Sequence, residues 1–309
     1  MYRFKLTQVS TELQAVATIG NFDGIHLGHL EIFKQVNQLA QARNLRSVVI
    51  TFEPLIKEFI YQQNNLPKLK RLSLLRDKFR LIQATGLIDE LIVLPSNLNL
   101  INLSATDFIK DYLQAKLNIV QMVVGSDFHF GHDREGGISD LIKNGIATEI
   151  AKPVKCESVT VSSSLIRSLA LENKLDQVNK YLGGRNLSYS GHVVYGNQIG
   201  RKYNVPTINL NLGKICPSVW GIYTAYVYIG DIRYKAVASV GLNPTVSNDS
   251  RYKLEAHLLG VDLNLYGKIA TIEFLHFLRG EVKFIDLPTL FEQIYQDIAD
   301  AKAWFDKTK

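Results

Sequence analysis

Two histidines near the start of the chain have the spacing of a phosphate-binding site. His26 and His29 enclose a glycine in the order His-x-Gly-His, directly after an apolar run that ends at Gly20. Two imidazoles three residues apart can donate hydrogen bonds to an α-phosphate as negative charge grows on it. Gly28 lets the backbone approach a nucleotide closely, and N–H groups at the start of a following helix attract phosphate. We therefore favour a nucleotide site here over a loop with two unrelated surface histidines.

Two common phosphate-binding loops are excluded for this segment. The chain has no G-x-x-x-x-G-K-[ST] sequence, and the glycines at positions 20, 24 and 28 do not fit G-x-G-x-x-G. The histidine pair is therefore the feature that defines the loop.

A second group of candidate residues lies in the sequence GNQIGRKYNVPTIN, which covers 196–209. Gly200, Arg201 and Lys202 can wrap an anion with backbone amides and cationic side chains. Thr207 and Asn209 are two residues apart, so their side-chain oxygens face the same way on a strand. Hard oxygen ligands of this kind suit Mg²⁺ that bridges ATP phosphates. Taken without further context, threonine and asparagine near a proline are ordinary turn formers.

Glu255 is the candidate general base of this second group. The alternation over 252–259 places Lys253, Glu255 and His257 on one face of a predicted strand, and apolar residues take the other face. A carboxylate fixed on a rigid strand can accept the proton of an attacking hydroxyl. The competing interpretation is a solvated strand residue without a chemical role.

The first half of the sequence alternates β-rich apolar runs with helical patterns. Strands are predicted at 15–20, 47–52, 90–94 and 122–125, and helices at 30–43, 72–85 and 105–117, with Ser104 as the cap of the last helix. Nearly continuous apolar strands separated by helices indicate a parallel sheet covered on both faces. Ligands of such sheets bind at the carboxyl ends of the strands, which is where His26 and His29 lie.

The second half has a different pattern of predicted secondary structure. A helix predicted over 164–182 is followed by Gly183-Gly184, and strand patterns then recur at 192–195, 221–229, 235–240, 252–259 and 269–277 before a helical pattern returns at 287–305. Consecutive strands with one terminal helix indicate an antiparallel barrel or sandwich. We therefore predict two domains, 1–184 and 185–309.

Composition narrows the class of protein. The 309 residues carry a net charge of +6, and the basic residues are scattered rather than clustered with aromatic residues, which favours an enzyme of anionic nucleotides over a nucleic-acid-binding protein. The sequence has no apolar run of about 18 residues and no signal-peptide pattern. Cys156 and Cys216 give neither a disulfide framework nor a metal spacing. We expect a cytoplasmic protein without a membrane partner.

The string TIGNFDGIHLGH at 18–29 closely resembles the bacterial bifunctional riboflavin kinase/FMN adenylyltransferases, or FAD synthetases, and its His-x-Gly-His is the motif of the nucleotidyltransferase superfamily. The segments TFEP (51–54), VVGSDFHFGHDREG (123–136) and VSSSLIR (161–167) match the same family in the same order. The resemblance implies a Rossmann-like α/β nucleotidyltransferase domain. It implies that His26 and His29 stabilise the α-phosphate of ATP and that Ser163 and Arg167 hold the triphosphate. Further residues implied at the nucleotide are Gly20, Asn21, Phe22, Gly28 and Asp127.

The second half resembles the flavokinase domain of that family. The matches are the segment 196–209, GIY (221–223), VGLNPT (240–245), LEAHLL (254–259), LYG (265–267) and LRGEVKF (278–284). They imply a six-stranded Greek-key barrel followed by a C-terminal helix. By resemblance, Thr207 and Asn209 bind Mg²⁺-ATP, Glu255 activates the ribityl 5′-hydroxyl, and Arg279 contacts the flavin.

The resemblance implies two coupled reactions. ATP phosphorylates riboflavin to FMN in the second domain, and a second ATP adenylylates FMN to FAD in the first domain, with release of pyrophosphate. Both steps need Mg²⁺ to offset the triphosphate charge, and the partners are the small molecules riboflavin, FMN and ATP rather than nucleic acid. Two alternatives stay open: another adenylyltransferase with the same histidine motif, and a non-catalytic flavin- or RNA-binding derivative.

Two departures from the family pattern carry structural expectations. Asn204 stands where the family usually has glycine, and asparagine tolerates left-handed backbone angles better than most residues. Ile208 stands between the two candidate metal ligands, and we expect its side chain to point away from them.

Overall fold

The computed structural model describes residues 1–196, 199–243 and 251–308, which form two compact units. The first unit comprises Met1–Leu69 and Lys78–Ser162, and the second comprises Lys70–Asp77 and Ser163–Lys309. Gly183 and Gly184, at the predicted domain boundary, both have left-handed φ angles, +78° and +82°. The division into domains 1–184 and 185–309 stays a prediction.

The strands and helices alternate in the first half and separate in the second. In chain order the strands are β1 (Tyr2–Lys5), β2 (Ala15–Ile19), β3 (Arg46–Glu53), β4 (Lys70–Arg71), β5 (Glu90–Pro95), β6 (Ile119–Val124), β7 (Ala147–Ile150), β8 (Lys155–Cys156), β9 (Val159–Thr160), β10 (Ser188–Val194), β11 (Thr207–Leu210), β12 (Cys216–Pro217), β13 (Gly221–Ile229), β14 (Ile232–Asn243), β15 (Arg251–Leu258) and β16 (Ile269–Arg279). The α-helices are α1 (Leu27–Ala42), α2 (Ile56–Gln63), α3 (Leu75–Thr85), α4 (Leu98–Ile101), α5 (Ala105–Asp107), α6 (Ile138–Lys143), α7 (Ser163–Leu171), α8 (Leu175–Tyr181) and α9 (Leu287–Lys307).

A six-stranded sheet forms the centre of the first unit, in the order β1-β5-β3-β2-β6-β7. Neighbouring strands are parallel except at one edge, where β1 runs antiparallel to β5. All five residues of β2 are buried, because helices cover both faces of the central strands. The predicted α/β class is confirmed, and the carboxyl ends of β2, β3 and β6 lie along one edge of the sheet.

The helix predicted over 105–117 is present, with an unexpected geometry. The Ser104 hydroxyl accepts a hydrogen bond from the Asp107 N–H at 3.1 Å, so the predicted N-cap is confirmed. After α5 the backbone continues as a π-helix over Phe108–Lys116. Phe108, Ile109 and Leu113 of this segment are buried in the core beneath the sheet.

Six antiparallel strands close into a barrel in the second unit, in the order β10-β11-β15-β14-β13-β16. Along β15, Leu254, Ala256 and Leu258 are buried, whereas Lys253 and Glu255 are half-buried on the opposite face. The predicted alternation of this strand is thereby confirmed. The barrel followed by the terminal helix α9 also confirms the predicted class of the second domain.

Two predicted helices need correction. The single helix over 164–182 is wrong, because the chain forms α7 and α8 with a break at Asn173, whose φ is +58°. The Asn173 side chain accepts a hydrogen bond from the Tyr223 hydroxyl at 2.5 Å, which stabilises the break. The helix predicted from 72 starts only at Leu75, since the preceding Lys70–Arg71 pairs with β12.

Candidate functional site

The loop between β2 and α1 carries the histidine motif in a constrained backbone. Phe22, Gly24 and Ile25 have left-handed φ angles of +43°, +86° and +45°. The Phe22 and Ile25 side chains are 3% and 1% exposed. Burial of these two apolar side chains offsets the cost of an unfavourable backbone, so the loop has a fixed course at the carboxyl edge of the sheet.

His26 and His29 lie directly against each other. Their rings stack with centroids 3.6 Å apart and an interplanar angle of 20°, and Phe22 contacts the His29 ring edge-on. His26 occupies the N-cap position of α1 with extended backbone angles, and His29 lies in the first helical turn. A methyl group at Gly28 would come within 3.1 Å of the His26 ring. The structure therefore brings together the predicted residues Phe22, His26, Gly28 and His29.

The loop after β6 lies beside this motif, because β6 and β2 are neighbours in the sheet. Its Phe128 and Phe130 rings stack with centroids 5.3 Å apart. A bridge between Phe130 and Gly136 closes the loop as a hairpin. Asp127, the predicted nucleotide residue of this loop, is exposed at the same edge of the sheet.

A largely apolar cavity of about 700 Å³ opens beside the histidine loop. Gly20 and Asn21 line one part of it, and the stacked Phe128 and Phe130 line another. Phe52, Ile56, Ile60, Leu98 and Ile101 add further apolar wall. A planar aromatic ligand fits such a lining, and an anionic group of that ligand could reach the loop.

Buried polar residues support this loop from below, and one of them, Lys78, belongs to none of the motifs recognised in the sequence. The Lys78 ammonium, whose side chain is fully buried, donates to the Thr51 hydroxyl at 2.9 Å. The Thr51 hydroxyl donates to the Asn21 carbonyl at 3.2 Å. The Asn21 side chain in turn accepts from the Ile56 N–H at 3.4 Å. These bonds fix Asn21 at the mouth of the cavity.

Ser163 and Arg167 lie on α7, which belongs to the second unit. Ser163 is the first residue of the helix, and Arg167 follows one turn later. Residues four apart on a helix share a face, so the two side chains can contact one anion. Their assignment to the triphosphate stays a prediction.

The barrel brings the second group of predicted residues onto one outer face. Asn209 on β11 is the direct cross-strand partner of Glu255 on β15, and Glu255 is also paired with Ser239 on β14. Thr207 is paired with His257 in the same register. Ile208, between Thr207 and Asn209, is 8% exposed and pairs with the buried Ala256, so it points away from the face as expected.

Charged residues surround Glu255. The Lys253 ammonium forms an ion pair with the Glu255 carboxylate at 2.7 Å. Arg279 donates two hydrogen bonds, each of 2.7 Å, to the buried Asp297 of α9. Partial burial raises the pKa of Glu281, whereas nearby Lys253 and Arg279 act in the opposite direction.

These residues line a cavity of about 310 Å³. Thr207, Glu255 and Arg279 form part of its wall, and Phe284 and Phe291 contribute aromatic surface. The predicted metal-binding hydroxyl, base and flavin-contacting residue therefore share one cavity. Asn209 is 9% exposed and lies beside them on the same face.

A larger cavity of about 950 Å³ lies on the other side of the β11 start. Arg201 lines it, with its guanidinium 5.7 Å from the centre of the Tyr266 ring, and Tyr195 stacks on Tyr266 at 3.9 Å. Asn204 also lines it and has a φ of +55°, so asparagine adopts the left-handed angle expected where the family has glycine. Lys202, also predicted to bind phosphate, is exposed.

Two close contacts restrict the glycine-rich loop, one with a backbone carbonyl and one with a side-chain amide. A methyl group at Gly200 would collide with the Val205 carbonyl, and one at Gly196 would collide with the Asn209 amide. Residues 197–198, and Pro244 and Thr245 of the predicted VGLNPT match, lie outside the described residues.

A histidine pair at the carboxyl edge of a parallel sheet, and a carboxylate beside hydroxyl and amide oxygens on a barrel, define a two-part enzyme that transfers groups from nucleotides. The FAD synthetase family model matches residues 8–165, and the riboflavin kinase family model matches residues 183–305. The chain therefore belongs to the family of bifunctional riboflavin kinase/FMN adenylyltransferases, and it is a transferase with one domain for each activity.

Individual relatives agree with this assignment. The bifunctional riboflavin kinase/FMN adenylyltransferase of Buchnera aphidicola subsp. Schizaphis graminum is 35% identical over 94% of both chains. Its counterpart in Escherichia coli K12 is 33% identical over 95% of this chain and 94% of its own. That of Pseudomonas fluorescens is 34% identical over 93% of this chain and 92% of its own.

A solved structure described as a macrolide-efflux protein from Streptococcus pneumoniae has the same fold, with a TM-score of 0.76, 29% identity and coverage of 97% of both chains. The efflux description concerns that protein. In this chain, no helix within the described residues has the length and apolar character needed to cross a bilayer.

Proposed function

We propose that the histidine loop and the 700 Å³ cavity together form the FMN adenylyltransferase site. The observation that carries this proposal is the position of Gly20 and Asn21, which belong both to the loop and to the cavity wall. The isoalloxazine ring of FMN would pack against Phe128 and Phe130. Its terminal phosphate would then reach the α-phosphate of ATP at the loop.

In this reaction a phosphate oxygen of FMN forms a bond to the α-phosphorus of ATP, and the bond from that phosphorus to pyrophosphate breaks. His26 and His29 donate hydrogen bonds to the oxygens on which charge develops. The N–H groups at the start of α1 favour the same charge. Asp127, Ser163 and Arg167 are proposed as further nucleotide contacts on the basis of the family motifs.

We propose that the barrel face forms the riboflavin kinase site. Glu255 accepts the proton of the ribityl 5′-hydroxyl while the oxygen of that hydroxyl bonds to the γ-phosphorus of ATP, and ADP leaves. Lys253 holds one carboxylate oxygen of Glu255, which leaves the other oxygen for the substrate. Arg279, fixed by Asp297, and the aromatic wall of the 310 Å³ cavity contact the flavin.

ATP of the kinase step would occupy the 950 Å³ cavity. Its aromatic pair, Tyr195 and Tyr266, offers a surface for a base. Gly200, Arg201 and Lys202 are proposed to contact the phosphates. The start of β11 separates this cavity from the one that contains Glu255, so Thr207 would lie where the γ-phosphate passes to the flavin.

Mg²⁺ is proposed as the cofactor of the kinase step. The Thr207 hydroxyl and the Asn209 amide oxygen are hard ligands on one face of β11, and the backbone of Gly196 lies against the Asn209 amide. This donor set fits Mg²⁺ shared with ATP phosphates. Bound there, the ion would neutralise negative charge on the triphosphate.

The order in which the products appear tests the two proposed sites at once. Incubation with riboflavin, ATP and Mg²⁺, followed by chromatography over time, should show FMN before FAD, and chelation of the metal should stop FMN formation. Unchanged riboflavin and unchanged added FMN would refute the proposal. The same assay with RNA as a competitor tests the remaining partner prediction, since we propose that the protein binds small molecules rather than nucleic acid. We also propose a cytoplasmic location.

A further inference from the structure

His257 lies on the wall that the two barrel cavities share. It lines both the cavity of about 950 Å³ that contains Arg201 and the cavity of about 310 Å³ that contains Glu255. It is two residues from Glu255 on β15, so the two side chains share a face. His257 lies within the LEAHLL segment (254–259), and the family resemblance implies a role for Glu255 in that segment but none for this imidazole.

The imidazole holds the start of β11. Its Nδ1 lies 2.8 Å from the carbonyl oxygen of Pro206. Since a carbonyl can only accept, Nδ1 carries the hydrogen and donates it. Pro206 immediately precedes Thr207, and Thr207 is the cross-strand partner of His257. A single side chain therefore fixes the residue next to the proposed metal ligand.

Among the described residues, the bond to the Pro206 carbonyl is the single hydrogen bond of the His257 side chain. The imidazole makes no other hydrogen bond there, and burial lowers its pKa. Pro206 has no N–H with which to join the ladder between β11 and β15. Its carbonyl is the backbone group that remains for pairing, and in the described part of the chain it bonds the His257 side chain.

We propose that His257 is a positioning residue for the riboflavin kinase step, which sets the place of Thr207 relative to Glu255 through its bond to Pro206. This inference rests on the proposed role of Thr207. It goes beyond that role because it names the group that orients the ligand. Loss of such an orienting partner typically lowers metal affinity or activity by about 10- to 100-fold.

The test compares two substitutions of His257. His257→Asn keeps an N–H donor near the position of Nδ1, whereas His257→Phe keeps the planar ring and removes the donor. His192→Phe is the matched control, since His192 lies on β10 of the same barrel and its Nδ1 contacts the Gly267 carbonyl at 3.3 Å. Each variant is assayed for FMN formation over a range of Mg²⁺ concentrations and, in the same sample, for conversion of added FMN to FAD.

We expect His257→Phe to lower kcat for FMN formation by about 10- to 100-fold and to raise the Mg²⁺ concentration needed for half-maximal activity. His257→Asn and His192→Phe should stay within about 3-fold of the wild type, and FAD formation from added FMN should be unchanged in all three variants. If the phenylalanine variant does not fold, His257→Leu, which also has no side-chain donor, takes its place.

A donor-deficient variant with wild-type kcat and Mg²⁺ dependence would overturn the inference, and so would equal losses in His257→Asn and His257→Phe. Thr207→Val distinguishes a failure of the positioning role of His257 from a failure of the proposed metal site. If Thr207→Val is inactive and His257→Phe is normal, only the positioning role is wrong. If Thr207→Val is active, the proposed metal ligand itself is wrong.

Discussion

Asn209 and Glu255 face each other across β11 and β15 as direct partners in an antiparallel register. The proposed metal ligand and the proposed base are thus held by the backbone hydrogen bonds of a closed barrel rather than by a loop. A barrel has no free edge along which the register could slip. The relative position of the two groups is therefore set before any substrate binds, which favours the precise geometry of phosphoryl transfer.

Glu255→Gln should abolish FMN formation and spare FAD formation from added FMN. The amide keeps the shape of the side chain but cannot accept the hydroxyl proton, so we expect a loss of about 10²- to 10⁴-fold in kcat. Glu292→Gln is the control, because Glu292 is an exposed residue of α9 in the same unit. The products are separated by chromatography. If the Glu255→Gln enzyme still forms FMN, Glu255 is not the base.

His29→Ala should produce the reverse pattern, with riboflavin converted to FMN that accumulates. His29 stacks on His26 at 3.6 Å, so its loss removes one proposed donor and one face of support for the other. Removal of a comparable donor costs about 10²- to 10³-fold in kcat. His192→Ala serves as the control outside the first unit, and loss of both activities in His29→Ala would contradict independent sites.

Gly196→Ala should impair the kinase step without much effect on stability. The added methyl group would collide with the Asn209 amide, which is the end of a side chain rather than backbone and can therefore rotate away. We therefore expect about a 10-fold loss in kcat/KM for ATP and an almost unchanged melting temperature. Gly280→Ala, where a methyl group meets no atom within 4 Å, is the matched control and should retain activity.

The sequence predicted the parts of the fold that have strong periodicity. The central strands, five of the six barrel strands and the faces of β15 followed from apolar runs and alternation, whereas β11 was not among the predicted strand runs. The edge strand β1 was not predicted, because its alternation of aromatic and basic residues covers only four positions, too few to stand out as a strand. The edge strand β7 is equally short and was also missed, and three of its four residues are exposed.

Contacts between residues far apart in the sequence explain the remaining differences between the predicted and the observed domain organisation. Arg71 is fully buried in the second unit, where its carbonyl accepts the Tyr189 hydroxyl at 2.6 Å. The Asp77 carboxylate accepts the Ser190 N–H at 3.1 Å. Both partners lie more than a hundred residues away, so local pattern cannot show that 70–77 joins the second unit. The histidine motif, by contrast, is local, and its spacing alone predicts a nucleotide site, which stays a prediction.

The ion pair of Arg279 and Asp297 should matter for both stability and substrate affinity. Arg279 lies at the end of β16 and lines the proposed flavin cavity, and both of its hydrogen bonds to Asp297 measure 2.7 Å. The Asp297 side chain is 5% exposed, so its truncation to alanine leaves a poorly solvated guanidinium without its anion. We expect Asp297→Ala to lower the free energy of unfolding of the second unit by about 3 kcal/mol.

The same substitution should also raise KM for riboflavin, because the guanidinium then loses the two hydrogen bonds that orient it at the cavity wall. Arg279→Lys tests this cause separately, since lysine keeps the charge but loses the two parallel hydrogen bonds. Asp300→Ala, an exposed position of the same helix, is the control for helix propensity and charge. Denaturant unfolding and initial rates of FMN formation measure the two effects, and a wild-type KM in both Asp297→Ala and Arg279→Lys would exclude Arg279 from flavin binding.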